Sequence, residues 1–397
     1  MLWLLAVHAA WADANLNGDL KSFNLVSFPY EAPLLFPSTD PMAQAVVDGR
    51  LKGELTFNPE RGPRWRLLAH HAVSVVSGSA VTLGGTGAAG TAPELVDLTW
   101  TVPEGGGATT VQGRTDRLLV ESEAGPVTWT LGRQPVSFGT GLFFTPLDLV
   151  NPFFPGTIDT EYKPGVDALR VEAYGGLRFQ QTLVAAWVGD CAVTTDGCLA
   201  DSDDLALVSW SRVTLGVSDL GLFLGEVRED EVIGLSVVSA LGPVGVHADA
   251  SVTLPAGGGD PFVRAVLGAD GRPGPKTSLS GELYVQSNGA ADPADYLLQA
   301  MGPRYVHGEL WALGRFYTAL SLSQELRPTL TGSLALIANV EDPSALLLPS
   351  LSASLADEVD LSAGAYVGLG ARPEGLDMHS EFGLLPVTAY LRLAAYF

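Results

Sequence analysis

Val387-Thr388-Ala389-Tyr390-Leu391-Arg392-Leu393-Ala394-Ala395-Tyr396-Phe397 closes the chain. Apolar Val387, Ala389, Leu391, Leu393, Ala395 and Phe397 alternate with Thr388, Tyr390, Arg392, Ala394 and Tyr396. A period of two puts the first set on one face of a strand and the second on the other. Such a ribbon, ending on an aromatic residue, is how membrane-spanning β-barrels finish. In hydrocarbon the backbone amides and carbonyls have no water to bind, so a spanning chain is either helical or a closed sheet. No stretch offers the ~20 apolar residues of a spanning helix. The longest candidate, Val232 to Ala248, lacks charge but is broken by Gly242-Pro243 and reads as two strands about a turn.

The same alternation recurs upstream. Val47, Leu51, Leu55 and Phe57 oppose Asp48, Arg50, Lys52, Glu54 and Thr56, while Trp65, Leu67 and Val73 oppose Arg64, Arg66, His70 and Ser74. Leu177 to Trp187 repeats the pattern with Arg178, Gln180 and Thr182 on the polar face, and Thr277 to Ser287 repeats it again. The apolar faces mix leucine and valine with small residues, as in Leu279, Gly281, Leu283 and Val285, or Val359, Leu361, Ala363, Ala365 and Val367. Such faces would fill a sandwich core poorly and suit a lipid surface. The expected fold is therefore all-β: a transmembrane antiparallel up-and-down barrel of about eighteen strands, with about sixteen as the alternative. Its lumen would be lined by Arg50, Lys52, Glu54, Arg64, Arg66, Arg170, Glu172, Arg178, Gln180, Tyr390 and Arg392.

Connections alternate as a barrel requires, with long loops on one rim and tight turns on the other. Long polar loops fall at 29–44, 79–113, 137–164, 190–203, 255–260, 288–310 and 370–385. Turns fall at 59–63, 123–125, 174–176, 216–219, 242–243, 270–276, 327–329 and 357–358. Glu94 to Val102 reads as a strand, yet parity places it inside a long loop.

At 397 residues, a soluble chain would divide into two or three domains; a large barrel is one. Leu2 to Val7 and Ala10-Trp11-Ala12 form a short apolar run with a small-x-small cleavage site, so residues 1–12 are expected to be a signal peptide and 13–397 the barrel domain. The net charge of −22 disfavours nucleic acid. Cys191 and Cys198, the two cysteines of the chain, are expected to form a disulfide pinning a surface loop. Gly85-Thr86-Gly87-Ala88-Ala89-Gly90 has dinucleotide-fingerprint spacing but runs into Thr91-Ala92-Pro93 and not a helix, so it reads as loop. His70 and His71 are adjacent on a strand and point to opposite faces, which separates them as metal ligands. No hydrolase elbow, zinc helix or phosphate loop is present, and neither enzymatic chemistry nor a cofactor is expected.

Two blocks carry a resemblance. The first runs Leu131-Gly132-Arg133-Gln134-Pro135-Val136-Ser137-Phe138-Gly139-Thr140-Gly141, then Pro146-Leu147-Asp148-Leu149-Val150-Asn151-Pro152, then Lys163-Pro164-Gly165-Val166-Asp167-Ala168-Leu169-Arg170-Val171-Glu172. The second comprises Asn339, Asp342, Ser344 and Pro349 with Ser380-Glu381-Phe382-Gly383. Together they resemble a signature of outer-membrane porin-like barrels, including the alginate-export type and its uncharacterised relatives. The resemblance implies an outer-membrane location with both termini periplasmic, passive transport, and export of an anionic polysaccharide with periplasmic export partners. From the residues themselves, the first block is a strand leading into a loop stiffened by Pro146, Pro152 and Pro155 that can fold inward and narrow a pore, with Phe143, Phe144, Phe153 and Phe154 as anchors or as a platform for sugar rings. Arg133 and Asp148 would pair or face solute. Mixed charge along the expected lumen favours a neutral or zwitterionic saccharide over an anionic polymer. The expected partners are membrane lipid, lipopolysaccharide and the barrel-assembly machinery. A general diffusion porin and a surface adhesin or rim-active enzyme are the rival readings.

Overall fold

The computed structural model describes residues 12–31, 39–59, 62–79, 94–103, 107–152, 159, 161–189 and 204–397. The signal-peptide segment, the glycine-rich stretch 85–90, Phe153, Phe154, Pro155 and both cysteines lie outside the described residues.

Period-two sequence becomes strand along the described chain: β1 (Ala12–Phe28), β2 (Met42–Phe57), β3 (Arg64–Gly78), β4 (Thr99–Val102), β5 (Thr109–Ala124), β6 (Val127–Gln134), β7 (Val166–Gly175), β8 (Phe179–Trp187), β9 (Leu205–Leu215), β10 (Ser218–Val227), β11 (Asp230–Leu241), β12 (Val244–Leu254), β13 (Phe262–Gly274), β14 (Thr277–Gln286), β15 (Phe316–Arg327), β16 (Leu330–Asn339), β17 (Ser344–Ala356), β18 (Val359–Leu369) and β19 (Val387–Tyr396). Each pairs antiparallel with its sequence neighbours, except that β3 pairs directly with β5. β1 pairs with β2 on one side and with β19 on the other, from Asp19↔Tyr396 to Phe28↔Val387. Eighteen strands thus close a barrel, and β4 stands apart from the ring. Beyond the last strand, Phe397 exchanges two backbone hydrogen bonds with Gly18 at 2.7 and 3.0 Å, so the terminal residue completes the seam.

The outer surface is apolar. Leu51, Leu131, Leu267, Leu283 and Leu320 are each 50–60% exposed, while their strand neighbours point inward. Trp65 and Trp129 meet edge to face at 5.2 Å on the outside near the short-turn rim, where Phe179 is also exposed. This is the aromatic girdle of a spanning barrel. The first described residue and the last strand's end lie at that rim: Ala12 is opposite Phe57, and the Tyr396 amide bonds to Glu358 in the β17–β18 turn.

Two connections on the loop rim are short. Arg228-Glu229, both with positive φ, joins β10 to β11, and Val340 to Pro343 joins β16 to β17. Both are tight turns that lack the glycine or polar run marking the longer loops. The strand-like segment Glu94 to Val102 supplies β4, which pairs through Thr99–Val102 with Val111–Arg114 of β5. Its reason for existing is the shortness of β6. That strand covers only Leu118–Ala124 of β5, and β4 occupies the upper edge left open.

Arg133 secures this repair. Its side chain alternates with Thr130 and Gln134, so it points to the outer face and not into the lumen, and it pairs with Asp167 and Glu94, not with Asp148. Arg133 is 1% exposed; it donates to Asp167 at 2.8 and 3.1 Å, lies 3.1 Å from Glu94, and donates to the Thr115 carbonyl at 3.0 Å. Asp167 in turn accepts from the Leu95 and Val96 amides at 2.8 and 3.3 Å. Removing the guanidinium strands a buried carboxylate, a loss of about 3 kcal/mol. Arg133→Leu is therefore expected to accelerate amide exchange at Leu95, Val96 and Thr99 by roughly 100-fold while the β12–β16 amides stay protected. Unchanged exchange at those three amides would refute this role.

Candidate functional site

Gln134 ends β6 because its side-chain amide donates to three carbonyls, Thr130, Gly132 and Ala168, at 2.9–3.2 Å, after which the chain turns into the barrel. The described residues of the segment that follows, 135–152, 159 and 161–165, lie across the interior. Val136, Phe138, Leu147, Leu149 and Val150 pack against inward residues of β7 to β11, including Ala186, Val208 and Phe223. Burial of this apolar side sets the depth of the segment.

Two carboxylates on the far wall hold its leading edge, and His247 of β12 bonds one of them, Glu282, at 2.8 Å. Asp249 of β12 accepts from the Thr140 amide at 2.6 Å, the Gly141 amide at 3.2 Å and the Thr140 hydroxyl at 2.9 Å. Glu282 of β14 accepts from the Phe143 and Phe144 amides, both at 3.0 Å, and from the Leu142 amide. A chain of amides wrapped on carboxylates needs close approach. Gly139 has φ of 93°, and a Cβ on Gly141 would lie 1.8 Å from the Phe144 carbonyl oxygen. Phe144 then stacks between Tyr284 at 4.6 Å and Trp311 at 5.2 Å, so it serves as an anchor.

The two legs of the segment are tied to each other. Lys163 donates to Asp148 at 2.7 and 2.8 Å and to Ser137 at 2.6 Å, Asn151 donates to the Pro164 carbonyl at 2.8 Å, and the Pro146 carbonyl accepts from Ser251 at 3.3 Å. Burial pushes the Asp148 carboxyl up and the Lys163 ammonium down, each opposed by the charge of the other. Pro152 lines a small cavity beside Arg264 and Trp311.

The returning leg meets the opposite wall. Lys21 of β1 bonds Asp159 at 2.7 Å and Glu161 at 2.8 Å, and Arg392 of β19 bonds Glu161 at 2.6 Å. Burial raises the Glu161 carboxyl, but the bonds from Lys21, Arg392 and Tyr396 outweigh it and hold the group down at about 2. Tyr162 lies between guanidinium groups, with Arg50 at 3.8 Å and Arg117 at 4.5 Å from its ring centre, and its hydroxyl contacts His70. A β-bulge makes this arrangement possible. β3 and β5 slip by one residue between His70 and His71, so Asp116 is extra and Arg114, Asp116 and Arg117 crowd one face. Asp116 lies 3.4 Å from Arg50 and 3.0 Å from Arg114, and Asp19 lies 2.6 Å from Lys52. Charge in this zone is close to balanced: Lys21, Arg50, Lys52, Arg114, Arg117 and Arg392 face Asp19, Asp48, Asp116, Asp159 and Glu161. The His71 ring faces outward, away from His70, and bonds Thr115 at 3.0 Å.

Two more loops fold inward on the same side and meet the second sequence block. Glu381 accepts from the Leu313 amide at 3.0 Å, from Asn339 at 2.9 Å and from the Tyr317 hydroxyl, and its own amide donates to Asp342 at 2.7 Å. Asp342 also accepts from the Ser344 amide at 3.0 Å, and Tyr296 accepts from Asn339 at 2.9 Å. Asn339, Asp342, Ser344 and Glu381, far apart in the chain, form one hub.

The short-turn half differs. Arg64 and Glu123 are about half exposed, and Arg66, Glu54, Glu121, Arg170, Glu172 and Gln180 line the same inner wall, linked by Arg66–Glu121 at 3.1 Å, Arg170–Glu172 at 3.4 Å and Gln180–Glu172 at 3.2 Å. The interior is thus a polar vestibule below and packed loops above. Arg178 is not part of the wall: β8 starts at Phe179, which leaves Arg178 exposed in the turn. Tyr390 is inside, 5.8 Å from Tyr366.

Set beside solved structures, the architecture has close company. Acinetobacter baumannii OccAB1 superposes with a TM-score of 0.60 at 11% identity, covering 97% of this chain and 96% of that one. The fold is a porin fold. OccAB3 of the same organism gives 0.59 at 10% identity over 97% and 99%, and Pseudomonas aeruginosa OccD3 (OpdP) gives 0.56 at 7% over 96% and 91%. No protein-family model and no curated protein matches the sequence, so the alginate-export branch of the resemblance gains no support from them.

Asp249, Glu282, Tyr162 and the Arg114–Arg117 bulge escape a reading by motif. The available signal was a single carboxylate on each inward face, Asp249 on β12 and Glu282 on β14, since such a group in a barrel wall needs several hydrogen-bond donors around it. Asp249→Ala combined with Glu282→Ala is expected to release the leading edge and raise single-channel conductance about twofold, with added open-channel noise. An unchanged conductance would remove these carboxylates from the account. Glu381 yields a pH prediction. Burial, with Asp342 and the buried Tyr296, Tyr305 and Tyr317 around it and only uncharged donors bonding to it, lifts its carboxyl from 4.5 to about 7. A carboxyl raised in the folded state favours folding most when protonated, so loop docking is firmest below about pH 4.5 and weakens as pH rises to about 7. Proteolysis at Leu297 to Met301 should therefore quicken across that window and level off above it, and Glu381→Gln should flatten the profile.

Proposed function

We propose that the chain is a passive outer-membrane channel for small hydrophilic solutes, with neutral or zwitterionic saccharides as the preferred class. The observation that carries this reading is the inverted polarity of the barrel: exposed leucines outside, and inside a solvent-reached vestibule whose arginines and glutamates cancel. A wall of paired charge gives no net field to select or repel one sign of ion, and it offers hydrogen bonds to uncharged solutes. In this reading Arg50, Lys52, Arg392 and Tyr162 border the narrowest passage, and the vestibule residues Glu54, Arg64, Arg66, Arg170, Glu172 and Gln180 form its approach.

Polymer export has less support. The segment from Ser137 to Pro164 is bonded to both walls, at Asp249 and Glu282 on one side and at Lys21 and Arg392 on the other, which suits a fixed constriction better than the passage of a chain. The porin fold of the solved neighbours supports an outer-membrane setting, with the short-turn rim and both termini toward the periplasm. Assembly there would involve the barrel-assembly machinery and contact with lipopolysaccharide. No covalent chemistry is part of this reading. An adhesin would draw on the packed loop half, and the two are separated by whether solute crosses.

Purified protein in liposomes should admit glucose and sucrose, seen as osmotic swelling, faster than protein-free vesicles, with gluconate entering no faster than glucose. Absence of swelling with any of these would overturn the channel; faster gluconate entry would overturn the neutral-solute preference.

A further inference from the structure

On one side of the vestibule the inward face carries a row of hydroxyls, with Glu325, Asp360 and Arg392 on its short-turn side. Ser278 on β14 lies opposite Ser323 on β15, Ser323 opposite Ser333 on β16, and Ser333 opposite Ser350 on β17. These four sit side by side in register across four adjacent strands. The row continues: Ser350 is opposite Gly364 on β18, and Gly364 is opposite Tyr390 on β19. A Cβ on Gly364 would lie 2.6 Å from the Tyr390 hydroxyl oxygen, so the absent side chain is what lets that hydroxyl lie across β18. The belt therefore spans six strands without a gap. Ser333 and Ser323 are 3.2 Å apart, and none of the four serines is buried. Tyr390 is half-buried, beside Tyr366.

We infer that this belt is an adsorption site for neutral polyhydroxylated solutes on the inner wall of β14 to β19; the inference rests on the channel reading and adds a location and a recognition chemistry to it. Serine hydroxyls each donate and accept, as sugar hydroxyls do, so a row of them exchanges hydrogen bonds in either sense as a ring moves along it. Tyr390 adds an apolar ring face beside a polar tip, the combination that suits the alternating C–H and O–H surfaces of a saccharide. No formal charge interrupts the row, so a neutral solute displaces only water. The opposite wall, with Arg66, Glu121, Arg170 and Glu172, holds its side chains in mutual ion pairs and has fewer free hydroxyls to offer.

The test uses the full-length protein in planar bilayers, with potassium chloride carrying the current and sucrose added, and with a polyethylene glycol of equal mass as a size control. Sucrose should reduce the current more than the glycol does. Combined Ser323→Ala, Ser333→Ala and Ser350→Ala should leave the salt conductance unchanged and raise the half-maximal sucrose concentration about tenfold. The matching threonine substitutions, which keep the hydroxyls, should restore the wild-type value. If the protein conducts but sucrose and glycol act equally, or if the alanine variant keeps the difference, the belt is refuted while the channel stands. If the protein does not conduct at all, the channel itself fails and the belt with it.

Discussion

The structure depends on one constraint: within a hydrocarbon layer every backbone amide and carbonyl must find its partner in the protein. An open sheet leaves two edges unpaired, and closing β1 onto β19 removes both. The seam is completed by the last residue, whose backbone bonds to Gly18 at both its amide and its carbonyl. The same rule explains β4. Where β6 stops short, β5 would present a bare edge, and a four-residue strand borrowed from a surface loop covers it under the Arg133–Asp167 pair.

Closure assigns one face of every strand to the outside, so specificity is confined to what points inward. A barrel of this size encloses more space than its wall side chains can fill, and here three loops occupy the upper half. They are held by carboxylates that accept donors from the loops themselves, Glu282 keeping one bond to His247 of the wall as well. Asp249 and Glu282 receive backbone amides of the segment from Thr140 to Phe144, and Glu381 receives an amide, a phenol and an amide side chain. Buried carboxylates of this kind are costly unless fully bonded, which makes the loop positions definite. Upper and lower halves then differ in kind: packed and bonded above, open and charge-balanced below.

The barrel was legible because lipid on one side and water on the other impose period two over many residues, and the terminal strand shows it most clearly. Inward placement of Arg50, Lys52, Arg66, Arg170 and Arg392 follows from the same period. Arg178 did not follow, since strand ends are set by turn geometry and the chain leaves the sheet before it. Arg133 misled for a different reason: it obeys the alternation, but charge on an outward face is intelligible only once Glu94 to Thr99 is seen to cover it. The Asp116 bulge shifts parity by one residue inside an otherwise regular strand, and local sequence does not mark it. Contacts between distant segments, such as Asp342 with Glu381, were visible as two stretches of the second block but not as one hub, because nothing in either stretch specifies the distance between them.

The most direct measurement is thiol accessibility along β17 in lipid bilayers. With Cys191 and Cys198 replaced by serine, single cysteines at positions 350 to 355 are treated with a membrane-impermeant thiol reagent. Labelling at 350, 352 and 354, with protection at 351, 353 and 355, is the result that a wet-centred barrel requires. Uniform labelling, or labelling of the leucine face, would contradict it.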